Sequence, residues 1–109
     1  SNASKVEMLG VKPDTLKDHG AVSEEVAEQM AQGALDRSNA QLSVSLTGIA
    51  GPGGSDHKPE GRVCFGVSGA AGTHVETVEF GALGRTNVRY AARDHALLLL
   101  HKALLKLPK

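Results

Sequence analysis

The chain has 109 residues, with 12 basic and 12 acidic side chains, so its formal net charge is zero. That length suits one domain; the charge balance, 3% aromatics and absence of Trp argue against an electrostatic or base-stacking surface for nucleic acid. One cysteine rules out an internal disulfide and a cysteine-rich zinc site, and no apolar run approaches the roughly 20 residues of a membrane-spanning helix. No signal-peptide pattern is read at the start, so the expectation is a cytoplasmic protein with neither nucleic-acid nor membrane partners.

Taken in chain order, Ser1-Asn2-Ala3 fits either a remnant of tag cleavage or a native segment. Val6, Leu9 and Val11 mark a short helix over residues 4–10, stopped by Gly10. Lys12-Pro13-Asp14 reads as a turn, with a further helical turn over 14–17 closed by His19-Gly20. Ser23 is an N-cap, followed by Glu24 and Glu25 where the helix dipole favours acids. Val26, Ala27, Met30, Ala31, Ala34 and Leu35 then keep the spacing of an amphipathic helix to about residue 38.

Leu42, Val44 and Leu46 alternate with Ser43, Ser45 and Thr47, which predicts a strand running directly into a glycine-rich stretch. Of the 13 glycines, Gly48, Gly51, Gly53, Gly54 and Gly61 crowd this region, where a tight turn or a close approach is needed. Residues 55–60 form a polar loop, 62–67 a second strand, 69–73 a hairpin turn and 75–80 a third strand. The last element is a helix over 85–107, so apolar around Leu97–Leu100 that packing on two sides is expected, with Pro108 ending it. The order predicts an α/β fold: a layered α/β/α domain over residues 1–109 with a small mixed sheet, lacking an N-terminal strand and helix. A partial sheet leaves an unpaired edge, so a homo-oligomer is expected.

The glycine loop can turn successive backbone N–H groups toward an anion. It is neither a P-loop, since no Gly-Lys-Ser/Thr follows, nor a dinucleotide fingerprint, and a surface loop without function competes evenly with an anion site. Arg85, Arg89 and Arg93 form a row at helical spacing at the start of the last helix, where a phosphate would meet both N–H groups and guanidinium forks. A solvated basic stripe is the commoner meaning of such a row. His19, His57, His74, His95 and His101 show no metal-ligand spacing, and His95 is expected to be half-buried and hydrogen-bonded. Asp56-His57 offers an acid–base pair within a loop. Cys64 reads as a buried structural residue, and no catalytic triad can be drawn around Ser43, Ser45, Ser55 or Ser68.

Three strings carry more than these spacings do. They are His19-Gly20-Ala21-Val22-Ser23-Glu24-Glu25-Val26-Ala27, Thr47-Gly48-Ile49-Ala50-Gly51-Pro52-Gly53-Gly54 and Lys58-Pro59-Glu60-Gly61-Arg62-Val63. In this order they resemble the C-terminal domain of the CinA (competence/damage-inducible) family, whose stand-alone members are nicotinamide-nucleotide amidases. Ser1-Asn2-Ala3-Ser4-Lys5 before Leu9-Gly10-Val11 is similar to that family's Ser-Asn-x-x-Lys segment.

The resemblance implies hydrolysis of nicotinamide mononucleotide to nicotinate mononucleotide and ammonia by a serine nucleophile with a lysine base. It places that base on Lys5, a residue near the reacting group on Thr47, loop contacts on Gly48 and Gly51, and phosphate contacts on Arg85 and Arg89. It implies a small-molecule nucleotide substrate, no cofactor and no metal. The family's nucleophile segment, Ala-Glu-Ser-Cys-Thr-Gly-Gly, does not occur in these 109 residues, so this chain alone is expected to be inactive. Leu83-Gly84-Arg85 stands where the family often has Gly-Asp-Arg. The rival expectation is a non-catalytic module that binds a nucleotide phosphate or serves assembly.

Overall fold

A computed structural model describes residues 2–55 and 57–107. The expectations on Ser1, Asp56 and Pro108 lie outside the described residues.

Helices α1 (Asn2–Leu9) and α2 (Pro13–His19) are short, and both pack on the longer helix α3 (Glu24–Asp36). Ser23 caps α3 as expected, its hydroxyl accepting from the Val26 amide at 3.2 Å. Strands β1 (Leu42–Gly48), β2 (Arg62–Gly69) and β3 (Gly72–Glu79) follow, and helix α4 (Arg85–Leu105) closes the order. Strand β1 runs one residue past its predicted end because Gly48 still pairs with Val63. The hairpin between β2 and β3 is tighter than predicted. Gly69 pairs with Gly72, leaving Ala70 and Ala71 as a two-residue turn, and Gly72 takes a positive φ of 118°.

The sheet has the order β1-β2-β3, and both pairings are antiparallel. The expected mixed sheet is therefore corrected for the described residues. Both connections, the two-residue turn before β3 and the longer loop over residues 49–61, return the chain at the same end of the sheet with no crossover, so each neighbouring pair runs antiparallel. The α/β/α layering holds, with α3 on one face and α4 on the other.

The two faces are built differently. On the α4 side, Val63, Phe65 and Val67 meet Val88, Ala92, Ala96 and Leu99 in an apolar core, with Val44 and Val78 at its margin. On the α3 side the strands present Ser43, Ser45 and Thr47, and these hydroxyls donate to the carbonyls of Ala31 at 2.6 Å, Ala27 at 2.6 Å and Ala21 at 2.9 Å. The spacing is commensurate. Two residues along a strand advance about 6.8 Å, close to the roughly 6 Å between Ala27 and Ala31 along the helix axis. Small residues let helix and sheet approach closely enough for these bonds. A methyl group on Gly66 would stand 2.5 Å from the Ala27 carbonyl oxygen. Among the described residues no buried side-chain nitrogen or oxygen is left without a partner.

Candidate functional site

The glycine stretch after β1 is a closed and braced loop. The Ile49 amide donates to the Arg62 carbonyl at 2.9 Å, the Gly61 amide to the Ile49 carbonyl at 2.6 Å, and the Phe80 amide to the Gly61 carbonyl at 2.9 Å. Ser55 and Lys58 exchange backbone bonds of 3.0 and 2.7 Å at its far end. Within the loop, the Glu60 carboxylate accepts from the Gly53 amide. The Lys58 ammonium spans from the loop to the segment before α3, donating to the His19 carbonyl at 2.6 Å and to that of Val22. Sequence reasoning assigned Lys58 and Glu60 no role. The signal was present, since both stand in one of the three recognised strings.

The predicted site residues divide between the layers. Thr47 is buried at the end of β1, and its hydroxyl is engaged by Ala21 on the α3 side. Gly48 and Gly51 open the loop, and Arg85 at the first turn of α4 donates from Nε to the Gly51 carbonyl at 3.1 Å. The structure thus brings Gly51 and Arg85 together. Arg89 lies exposed one turn further along. Helix α4 begins after Gly84, which supplies no side-chain cap, so N–H groups of its first turn have no capping side chain. Lys5 is half-buried on α1, in the α3 layer. Among the described residues it makes no hydrogen bond to Thr47, Arg85 or Arg89.

Three concave regions are formed elsewhere. One of about 310 Å³ lies between α2 and α3 and is lined by Asp14, Asp18, Glu24, Glu25 and Glu28. One of about 450 Å³ is lined by Lys58, Arg62, Cys64 and Thr77. The third, of about 430 Å³, lies between the β2–β3 hairpin and the end of α4. None of the three includes Lys5, Thr47, Arg85 or Arg89.

Two titratable groups have displaced pKa values. Burial pushes the Cys64 thiol up, in keeping with the structural role expected for it. Glu76 on β3 is held below the usual carboxylate range by hydrogen bonds from His74 at 2.7 Å and His95 at 2.6 Å. His95 is half-buried as predicted, its ring 4.7 Å from that of Phe65. The lowered Glu76 pKa sets a sign. The ionised form is favoured by folding, so its contribution is complete above the unfolded carboxylate value of about 4.3 and lost as pH falls through the lower folded value. Acid titration of stability is therefore expected to be shallower in Glu76→Gln than in the parent below about pH 4.3. Equal slopes would remove this pair of bonds as its cause.

The layered fold, the braced glycine loop and the arginine row define an α/β domain built to present a loop and a helix start side by side. Residues 1–104 match the family model described as CinA C-terminal domain, and the chain belongs to that family. A CinA-like protein of Mycobacterium sp. (strain JLS) is 50% identical over 105 residues, covering 95% of this chain and 25% of the relative. This chain thus spans about a quarter of the length of such relatives. Among solved structures, the competence/damage inducible protein CihA of Agrobacterium tumefaciens superposes with a TM-score of 0.89 at 44% identity, over 94% of this chain and 63% of that one. The competence damage-inducible protein A of Klebsiella pneumoniae gives 0.91 at 32% identity, over 99% of this chain and 67% of the other.

Proposed function

We propose that these residues form part of the site of a nicotinamide-nucleotide amidohydrolase of the serine–lysine type. A serine on polypeptide outside these 109 residues attacks the carboxamide carbon of nicotinamide mononucleotide, and Lys5 takes its proton. The tetrahedral intermediate collapses, the C–N bond breaks, and Lys5 returns the proton to the departing ammonia. Water then hydrolyses the acyl-enzyme to release nicotinate mononucleotide. Arg85 and Arg89 hold the phosphate beside the first turn of α4, while Gly48 and Gly51 form the wall against which the nucleotide lies.

The observation that carries this reading is the hydrogen bond from Arg85 to the Gly51 carbonyl. It joins the two segments to which the resemblance assigns substrate contact, although 34 positions separate them in the chain.

The test uses a protein that joins this chain to the serine-bearing segment, with ammonia release as readout. Replacing both Arg85 and Arg89 by Ala should raise KM for nicotinamide mononucleotide about tenfold or more and change kcat less, as loss of ground-state phosphate contacts does. Lys5→Ala should lower kcat by about a thousandfold with little effect on nucleotide binding in calorimetry. Absence of ammonia release from the parent protein overturns the enzyme reading. Calorimetric binding without turnover would then mark a non-catalytic nucleotide-binding module.

A further inference from the structure

The glycine loop is filled by a side chain of its own. A run of glycines after a strand can turn amide N–H groups toward an anion, and here the Gly53 amide donates to the carboxylate of Glu60, seven positions further on. The same carboxylate lies against the α-carbon of Gly51, where a methyl group would stand 2.5 Å from both Cδ and Oε1 of Glu60. Gly51 has a φ of +90° and Gly53 one of +81°, so the chain bends around the Glu60 side chain at the two residues best able to do so. A phosphate offered to the Gly53 amide would have to displace a tethered group of the same charge.

Glu60 is itself well anchored. Next to it, the Gly61 amide donates to the Ile49 carbonyl at 2.6 Å and ties this arm of the loop to the end of β1. Two residues earlier, the Lys58 ammonium donates to the His19 and Val22 carbonyls and ties the arm to the segment before α3. From the opposite arm, the Gly51 carbonyl accepts from Arg85 Nε at 3.1 Å. Contact therefore passes from Glu60 through Gly51 to the guanidinium. That bond occupies Nε and leaves the two terminal nitrogens, whose paired N–H groups match a phosphate, to a ligand.

We propose that Glu60 is a positioning residue for the substrate phosphate: its carboxylate fills the glycine loop as an internal anion and holds the Gly51 carbonyl where it aligns the Arg85 guanidinium. The phosphate then belongs at the terminal nitrogens of Arg85, outside the loop, and the Gly53 amide takes no part in binding it. What that phosphate belongs to rests on the amidohydrolase reading; the alignment of Arg85 by Glu60 does not.

Two variants separate the hydrogen bond from mere bulk. Glu60→Gln keeps an oxygen at the same reach for the Gly53 amide, whereas Glu60→Met keeps the length and loses the acceptor. In the 109-residue chain, nitrogen-15 relaxation at Arg85 Nε reads the alignment without any substrate. The Nε–H vector should be restricted in the parent and in Glu60→Gln, and mobile in Glu60→Met, with an order parameter below about 0.6. A mobile Nε in the parent overturns the proposal whether or not the Met variant folds, and so does an Nε equally restricted in a folded Glu60→Met. In the protein that joins this chain to the serine-bearing segment, Glu60→Met should raise KM for nicotinamide mononucleotide about fivefold and change kcat less than about twofold, and Glu60→Gln should restore KM. In an Arg85→Ala background Glu60→Met should add nothing to KM, because the residue it acts through is gone. An equal rise in both backgrounds overturns action through Arg85. A parent without turnover counts against the amidohydrolase reading, and the Nε measurement still decides the role of Glu60.

Discussion

Replacing Phe65 by alanine is expected to cost about 3–5 kcal/mol of folding stability. The side chain is fully buried at the centre of the β2 face, and it is the largest such residue in the described chain. Its ring stands edge-on to Phe80 at 6.4 Å and lies 4.7 Å from the His95 ring, so it joins β2, the end of β3 and α4 at one point. Truncation removes the transfer free energy of the ring and leaves a void that neighbours on three elements cannot fill together. A small domain holds only about 5–15 kcal/mol in total, so this variant should be partly unfolded at 37 °C. The urea midpoint measures it, and a loss below about 1 kcal/mol would contradict this placement of the core.

Gly61→Ala should be the second severe change, for a backbone reason. Gly61 sits at a φ of +85°, where an L-residue is strained by about 1–2 kcal/mol. A methyl group there would also run into the backbone carbonyl of Gly81. That carbonyl cannot swing aside as a side chain can, so residues 79–83 must move and total destabilisation should exceed roughly 2 kcal/mol. The displacement would open the two bonds that shut the loop, Gly61 to Ile49 and Phe80 to Gly61. Hydrogen exchange should therefore speed up at the amides of Gly61 and Phe80 in the variant. Unchanged protection at both would show that the loop is not closed through Gly61.

The local signals that were strong in the sequence matched what folded. Ser23 with Glu24 and Glu25 announced the start of α3, and the apolar stretch around Leu97–Leu100 announced that α4 packs against something, without saying which side meets the sheet. Alternation at Leu42, Val44 and Leu46 gave β1 but said nothing of what would cover the polar half of the strand. Serine and threonine hydroxyls look the same in a sequence whether they face water or a helix carbonyl. Only the distant Ala27, Ala31 and Gly66 decide that, by being small enough to let α3 come close. Strand direction was illegible for a related reason. A parallel or antiparallel neighbour depends on connections, and the long loop over residues 49–61 could have been either kind of link.

The site was less legible than the fold. Arg85 and Gly51 were each singled out separately, for helix-terminus and loop reasons, and their meeting emerged only in three dimensions. Lys58 and Glu60 escaped because a lysine or glutamate in a polar loop ordinarily means solvation. Their partners are backbone groups of Val22 and Gly53, and backbone groups carry no sequence signature.

The hydroxyl rows beneath α3 imply that the two helical layers answer differently to cold. Attraction between apolar surfaces fades as temperature drops, whereas bonds such as Ser45 to the Ala27 carbonyl do not depend on that driving force. Chilling should therefore weaken the wholly apolar contact of α4 with the sheet more than that of α3, whose buried Val26, Ala27 and Ala31 are supplemented by the hydroxyl-to-carbonyl bonds.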